Sequence, residues 1–134
     1  MTEGTLRAVL LVTAAYHVVN GLLALIAPGT FYDEIGRYGI ENSHYVGDVG
    51  AFYLAAGFGI AVAAYRPEWR VPILLVGAAW YGLHALNHVF DVGEARSDAR
   101  GWTDTLLLAL AAAGSVYLAG VAARLDRERG RARA

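Results

Sequence analysis

The chain has no cysteine and no lysine, only three prolines and a single methionine. Without cysteine there is no disulfide, no thiolate metal ligand, no cysteine nucleophile and no thiol redox relay. Without lysine, all eleven basic residues are arginines. Charge is scarce as well: 17% of residues are charged and the net charge is -1, against roughly 25% charged in an ordinary soluble domain. A chain this short of basic surface has no face suited to nucleic acid. Charge is missing altogether from four long runs, at 8–32, 49–65, 71–90 and 105–123.

What fills those runs is apolar. Hydrophobic residues make up 57% of the chain, although polar loops and an arginine-rich end hold the mean hydropathy to +0.40. Each run matches the roughly 17–25 apolar residues that carry a helix across a bilayer. A soluble four-helix bundle would need a polar face on every helix, and the fourth run has none. The first run is longer than the core of a signal peptide and no small-x-small site follows it. The expected fold is therefore a single all-α domain of four transmembrane helices over about 5–27, 43–65, 71–92 and 103–125, with a charged, frayed tail at 126–134.

Arginine placement predicts orientation. Arg7 precedes the first run, Arg66 and Arg70 sit between the second and third, and Arg124, Arg127, Arg129, Arg131 and Arg133 follow the fourth. The positive-inside rule places these segments, and hence both termini, in the cytoplasm. Pro28-Gly29 ends the first helix. The long outer loop that follows carries Phe31, Tyr32 and Tyr38, which suit a segment lying at the interface. Asn42 or Ser43 caps the second helix, and 66–70 forms a tight turn. Stripes of small residues, Ala51/Ala55/Gly59/Ala63 and Ala111/Ser115/Ala119/Ala123, are expected to let helices approach closely, since lipid supplies no hydrophobic drive between them.

Polar side chains within such spans are costly and mark function by default. His84, His88 and Asp91 follow i, i+4, i+7 on one helical face, with Tyr81 one turn earlier and Asn87 beside them. His44 and Asp48 are i, i+4; His17 and Asn20 are i, i+3. With the orientation above, all of these fall in the outer half, His17 about ten residues, or roughly 15 Å, from the exit of its helix. Stripes on separate helices can converge on a bundle interior, where bundles build metal and cofactor sites.

Imidazoles with carboxylates suit Zn, Cu, Fe or Mn. The predicted metal-binding set is His17, His44, Asp48, His84, His88 and Asp91, with His17, His84 and His88 as the cofactor-binding nitrogens. Asn20, Tyr81 and Asn87 are placed to orient the imidazoles. The HxxxH spacing lacks the glutamate of the HExxH hydrolases. Redox or oxygenase-type chemistry is the sharper form of this reading, by analogy with small four-helix membrane oxygenases. A bis-histidine haem b, with His17 opposite His84 or His88, is a second form, and a proton relay or organic-substrate pocket a third. The non-enzymatic alternative is an accessory or assembly subunit of a larger membrane complex whose polar residues satisfy one another. Besides the lipid bilayer, the expected partners are a second copy of the chain or such a complex.

The segment 42–57, N-S-H-Y-V-G-D-V-G-A-F-Y-L-A-A-G, together with the histidine-rich end of the third helix at 83–91, resembles small four-helix bacterial membrane proteins of the broad DoxX-like, actinobacterial type. The resemblance implies the four-helix fold, a bacterial cytoplasmic (inner) membrane location, and membership of Asn42, His44 and Asp48 in a shared polar motif. It brings no activity, and the lack of cysteine sets this chain apart from DoxX-like proteins with a thiol-redox role.

Overall fold

A computed structural model describes residues 1–132; Arg133, one of the arginines used for orientation, lies outside them. The elements are α1 (Glu3–Ile26), α2 (Pro28–Glu34), α3 (Ser43–Tyr65), α4 (Pro67–Phe90), a 3-10 turn (Val92–Glu94) and α5 (Asp98–Arg131). Among the described residues there is no strand, only one antiparallel bridge pair, Tyr38 with Ala95. Four helices, α1, α3, α4 and α5, are long and apolar enough to cross a membrane, and the protein is thereby a multi-pass membrane protein by length and composition.

Local chemistry explains the boundaries. Thr2 caps α1 and Ser97 caps α5 through their hydroxyls. Asn42 caps α3, its Oδ1 accepting from the amides of His44 (3.1 Å) and Tyr45 (3.4 Å). Pro28 and Pro67 open α2 and α4, where proline's missing N–H is no loss. The turn expected at 66–70 shrinks to the single residue Arg66. α4 starts four residues earlier than its apolar run, because Pro67 can begin a helix and Glu68–Arg70 can continue it. The tail expected to fray is helical through Arg131.

The helices associate as two antiparallel pairs, α1 with α3 and α4 with α5, joined mainly by α3 against α4. Glycine sets the first pair. A Cβ on Gly21 would meet the Gly50 carbonyl oxygen at 2.9 Å, and one on Gly57 would meet Val18 Cγ2 at 2.9 Å. The stripe that α3 turns to α1 is thus Gly50/Leu54/Gly57; of the expected stripe, Ala51 and Ala55 are exposed, while Gly59 is half-buried beside Ile73 of α4 and Ala63 is buried. Backbone contact this close needs glycine, and alanine does not substitute. On α5 the expected stripe does turn inward, with Ala119 buried and Ala111, Ser115 and Ala123 half-buried.

The apolar core lies at the end that carries both termini: Leu6, Leu10, Ala64, Leu74, Ala119, Val121 and Ala122. Arg70 is fully buried beside it. Its Nε and Nη2 donate to the Ala63 and Ala64 carbonyls (3.1 and 3.3 Å), covering acceptors that the end of α3 would otherwise leave bare. Its Nη1 and Nη2 also clasp Glu3 at 3.0 and 2.6 Å. Arg129 donates to the same carboxylate at 2.9 Å and pairs with Asp126, which holds the last turns of α5 in place. The opposite end of the bundle has no such core. It holds a cavity.

Candidate functional site

The cavity has a volume of about 600 Å³ and is walled by every long helix: Tyr16 of α1, Tyr53 of α3, Trp80, His84 and His88 of α4, and Leu107 and Leu108 of α5. Phe31 and Tyr32 of α2, with Ile35, Tyr38 and Ile40 of the segment after it, border it on the side away from the termini. Its size falls within the roughly 300–1,000 Å³ of small-molecule sites, and its mix of aromatic walls with a few polar groups is theirs too.

The polar groups come chiefly from the last two turns of α4. His84 and His88 meet with Nε2 atoms 3.1 Å apart, their rings edge to face. Two Nε2–H groups cannot face each other at that distance, so one nitrogen donates and the other is bare. His88 Nδ1 is buried without a partner. Orphaned buried N–H groups are rarer than under-satisfied acceptors, which favours the tautomer with the His88 proton on Nε2, donating to His84. The N–H of His84 Nδ1 then remains outside the pair. Trp80 packs against the His84 ring and stacks on Phe52 of α3. The Tyr38 ring packs edge-on against His88, with centroids 4.4 Å apart. Asn87 Nδ2 donates to Asp91 at 2.7 Å, and both border the cavity.

A lid of loop backbone crosses this end. Tyr38 pairs with Ala95, and the Gly39 amide donates to the Glu94 carbonyl at 3.2 Å. Gly39 has φ of +59°, a left-handed conformation that glycine adopts without penalty. The Tyr38 hydroxyl donates to Asp104 Oδ2 at 3.3 Å, and Asp104 is held by Arg100. Burial, with the Asp104 carboxylate next in order, pushes the Tyr38 phenol up to about 12, so it remains a donor.

The other predicted residues are placed differently. His17 is buried at 4% exposure. Its Nδ1 donates to the Thr13 carbonyl at 2.8 Å, and its Nε2 accepts from the Tyr81 hydroxyl at 2.7 Å. Both nitrogens are committed to the protein, and the ring packs against Tyr16 and Tyr53, the two tyrosines that line the cavity. His17 and Tyr81 therefore support the cavity from behind. Asn20 is buried and donates to the Tyr16 carbonyl. His44 and Asp48 pair with each other at 3.7 Å, with side chains 81% and 67% exposed, and neither borders the cavity. Among the described residues no group of three or more His, Cys, Asp or Glu side chains stands ready to hold a metal ion; the convergent donors are the two imidazoles of α4.

Tyr38, Tyr53, Asp104 and the wall residue Trp80 are not in the site predicted from sequence, where Tyr38 is an interfacial loop aromatic. The aromatic-rich loop was the available signal for Tyr38. Tyr53 carried none beyond its position on an apolar helix. Comparison with family models, with curated proteins and with solved structures returned no match to this chain.

Proposed function

We propose that this protein is a multi-pass protein of a bacterial inner membrane, with both termini cytoplasmic, that binds a small molecule in an outward-facing cavity centred on His84 and His88. The observation that carries this is the imidazole pair, set in the wall of an aromatic cavity of about 600 Å³. The arginine distribution supports the orientation, because Arg70 and Arg124–Arg131 lie at the end away from the cavity. α5 supports the membrane crossing: its 34 residues extend about 50 Å, well beyond a hydrocarbon core of about 30 Å. An imidazole accepts a proton and the resulting imidazolium gives it back, while the neutral ring both donates and accepts hydrogen bonds, so the same site suits hydrogen-bonded recognition or acid–base chemistry.

One observation favours a second reading, in which the pair holds a metal ion or metallocofactor. Two nitrogens on a tetrahedral zinc with bonds of about 2.0–2.1 Å stand roughly 3.3–3.4 Å apart, close to the 3.1 Å seen here. Asp91, bonded to Asn87, is the nearest carboxylate in sequence for completing or orienting such a site, and water or the bound molecule would supply the rest. Haem b through His17 would require that residue to give up its bond to Tyr81 or Thr13.

Native mass spectrometry of protein extracted in mild detergent tests the first reading. A stoichiometric small-molecule adduct is expected in the wild type and absent in His84→Ala and His88→Ala. Elemental analysis and an absorption spectrum of the same sample test the second: stoichiometric Zn, Cu, Fe or Mn, or a Soret band, supports it. With no adduct and no metal, and a loss of stability in His88→Ala, whose ring bridges His84 of its own helix and the Tyr38 ring of the loop, the pair would be packing within an accessory subunit of a larger complex.

A further inference from the structure

We infer that the molecule bound in the cavity is a flat aromatic lipophile with a carbonyl or hydroxyl head, and that it enters from the bilayer through the edge between α1 and α5. This rests on the reading of the cavity as a small-molecule site and adds the class of ligand and its route.

The route follows from how the two helix pairs meet. α1 and α5 are held together at the termini end, where Glu3 binds Arg129 and Leu6 and Leu10 share a core with Val121 and Ala122. Further along they face each other across the cavity, with Tyr16 on one side and Leu107 on the other, and these are 54% and 58% exposed. Both sit about ten residues from the lid-side ends of their helices, roughly 15 Å deep, which is mid-bilayer. The opposite edge is closed by Phe52 stacked on Trp80, with ring centroids 4.0 Å apart. The top is crossed by the loop that Tyr38 and Gly39 tie to Glu94 and Ala95. A solute in water therefore meets a latched lid, and a solute in lipid meets an open edge.

The class follows from the walls. Phe31, Tyr38, Tyr53 and Trp80 offer ring faces and edges, which favour a planar aromatic partner in stacked or edge-on contact. His84 lines the cavity, and its Nδ1–H, which the imidazole pair leaves unused, suits an acceptor oxygen. Among the described residues the cavity bears no unpaired cation: Arg100, which borders it, is bound to both oxygens of Asp104 at 2.9 Å. An anionic head has no counter-charge there, so a neutral oxygen is the better match.

The test uses the full chain in phosphatidylcholine nanodiscs, irradiated with 4-hydroxybenzophenone, a photoreactive aromatic lipophile with both kinds of oxygen. Saturable adducts are expected on Tyr53, Trp80 and Leu107, displaced by 2-naphthol. His84→Phe keeps a ring but removes the donor, and should weaken labelling about tenfold, the equivalent of one hydrogen bond. His84→Gln keeps a donor and should retain most of it. Size-exclusion elution and helical circular dichroism identify any variant that has not folded. Unsaturable adducts spread over lipid-facing residues, or saturable labelling indifferent to His84→Phe, would overturn the assignment of the head group. The route is read in Tyr38→Cys/Ala95→Cys, clean in a chain without cysteine. Equal labelling with the lid disulfide reduced or oxidised supports entry from the bilayer; loss on oxidation overturns it. If a water-soluble benzophenone sulfonate labels the cavity and 4-hydroxybenzophenone does not, the lipophile is wrong and the binding site stands. If neither labels it, the binding site falls as well.

Discussion

The histidines of this protein differ in how their nitrogens are used. His17 commits both, to Thr13 and to Tyr81. His17→Phe should destabilise the protein by about 0.5–2 kcal/mol, as for other interhelical hydrogen bonds in membranes, read from unfolding in sodium dodecyl sulfate. Tyr81→Phe should cost a similar amount, and the double variant less than the sum, because one bond is lost in all three. Neither change should remove a ligand held at His84 and His88. Tyr38 supplies a pH dependence. Its phenol is raised from 10.0 to about 12, so the fold favours the neutral form. That contribution is complete below pH 10 and lost as the pH climbs towards 12. The stability difference between wild type and Tyr38→Phe should therefore hold constant from neutral pH to about 10 and shrink above it. At this scale the sequence was readable where spacing on one helix decided the matter, as for His84, His88, Asn87 and Asp91. It was not readable for Tyr53 or Asp104, whose places depend on how one helix is rotated against another.

Helix by helix, the spans were legible and their contact faces were not. Uncharged runs reveal where a helix crosses lipid, but apolar side chains cover all sides of it, so the inward face leaves little trace. On α3 the distinction lies in which small residue is glycine. Gly50→Ala would place a methyl 3.0 Å from Ala24 Cβ and from the Gly21 carbonyl oxygen; overpacking of this kind typically costs about 1–3 kcal/mol. Gly47, one turn earlier, has nothing within 4 Å of such a methyl. Gly47→Ala should instead gain up to about 1 kcal/mol from helix propensity. Opposite signs for two glycine-to-alanine changes three residues apart, read in the same detergent titration, check the α1–α3 contact. The α3 cap was visible in sequence. Asn42→Ala removes the acceptor for two amides and should cost about 1 kcal/mol, detectable as faster hydrogen exchange over residues 43–46.

For the molecule as a whole, the even number of spans and the shared end of the termini followed from arginine placement. The same arginines concealed a structural task. Arg70, in sequence a marker of orientation, joins the ends of α1, α3 and α4, and through Glu3 it reaches Arg129 of α5. Contacts between residues 3, 70 and 129 have no local signature. Arg70→Leu leaves two helix-end carbonyls and Glu3 without this partner. Breaking a buried pair typically costs roughly 3–5 kcal/mol; with Glu3 39% exposed, about 2–3 kcal/mol is expected on solvent screening. Thermal unfolding in detergent measures it, and protease cutting near Arg124–Arg131 should rise in the same variant.

One short link governs how the two helix pairs can move. A single residue, Arg66, separates Tyr65 from Pro67, so α3 and α4 cannot slide apart where they join. Any relative motion has to be a pivot about that corner. α4, at 24 residues, is a lever of about 36 Å, and a tilt of about 5° would carry its far end some 3 Å, roughly the thickness of an aromatic ring. Such a pivot would move the His84–His88 end of α4 far more than its first turn, which Arg70 fastens to Glu3.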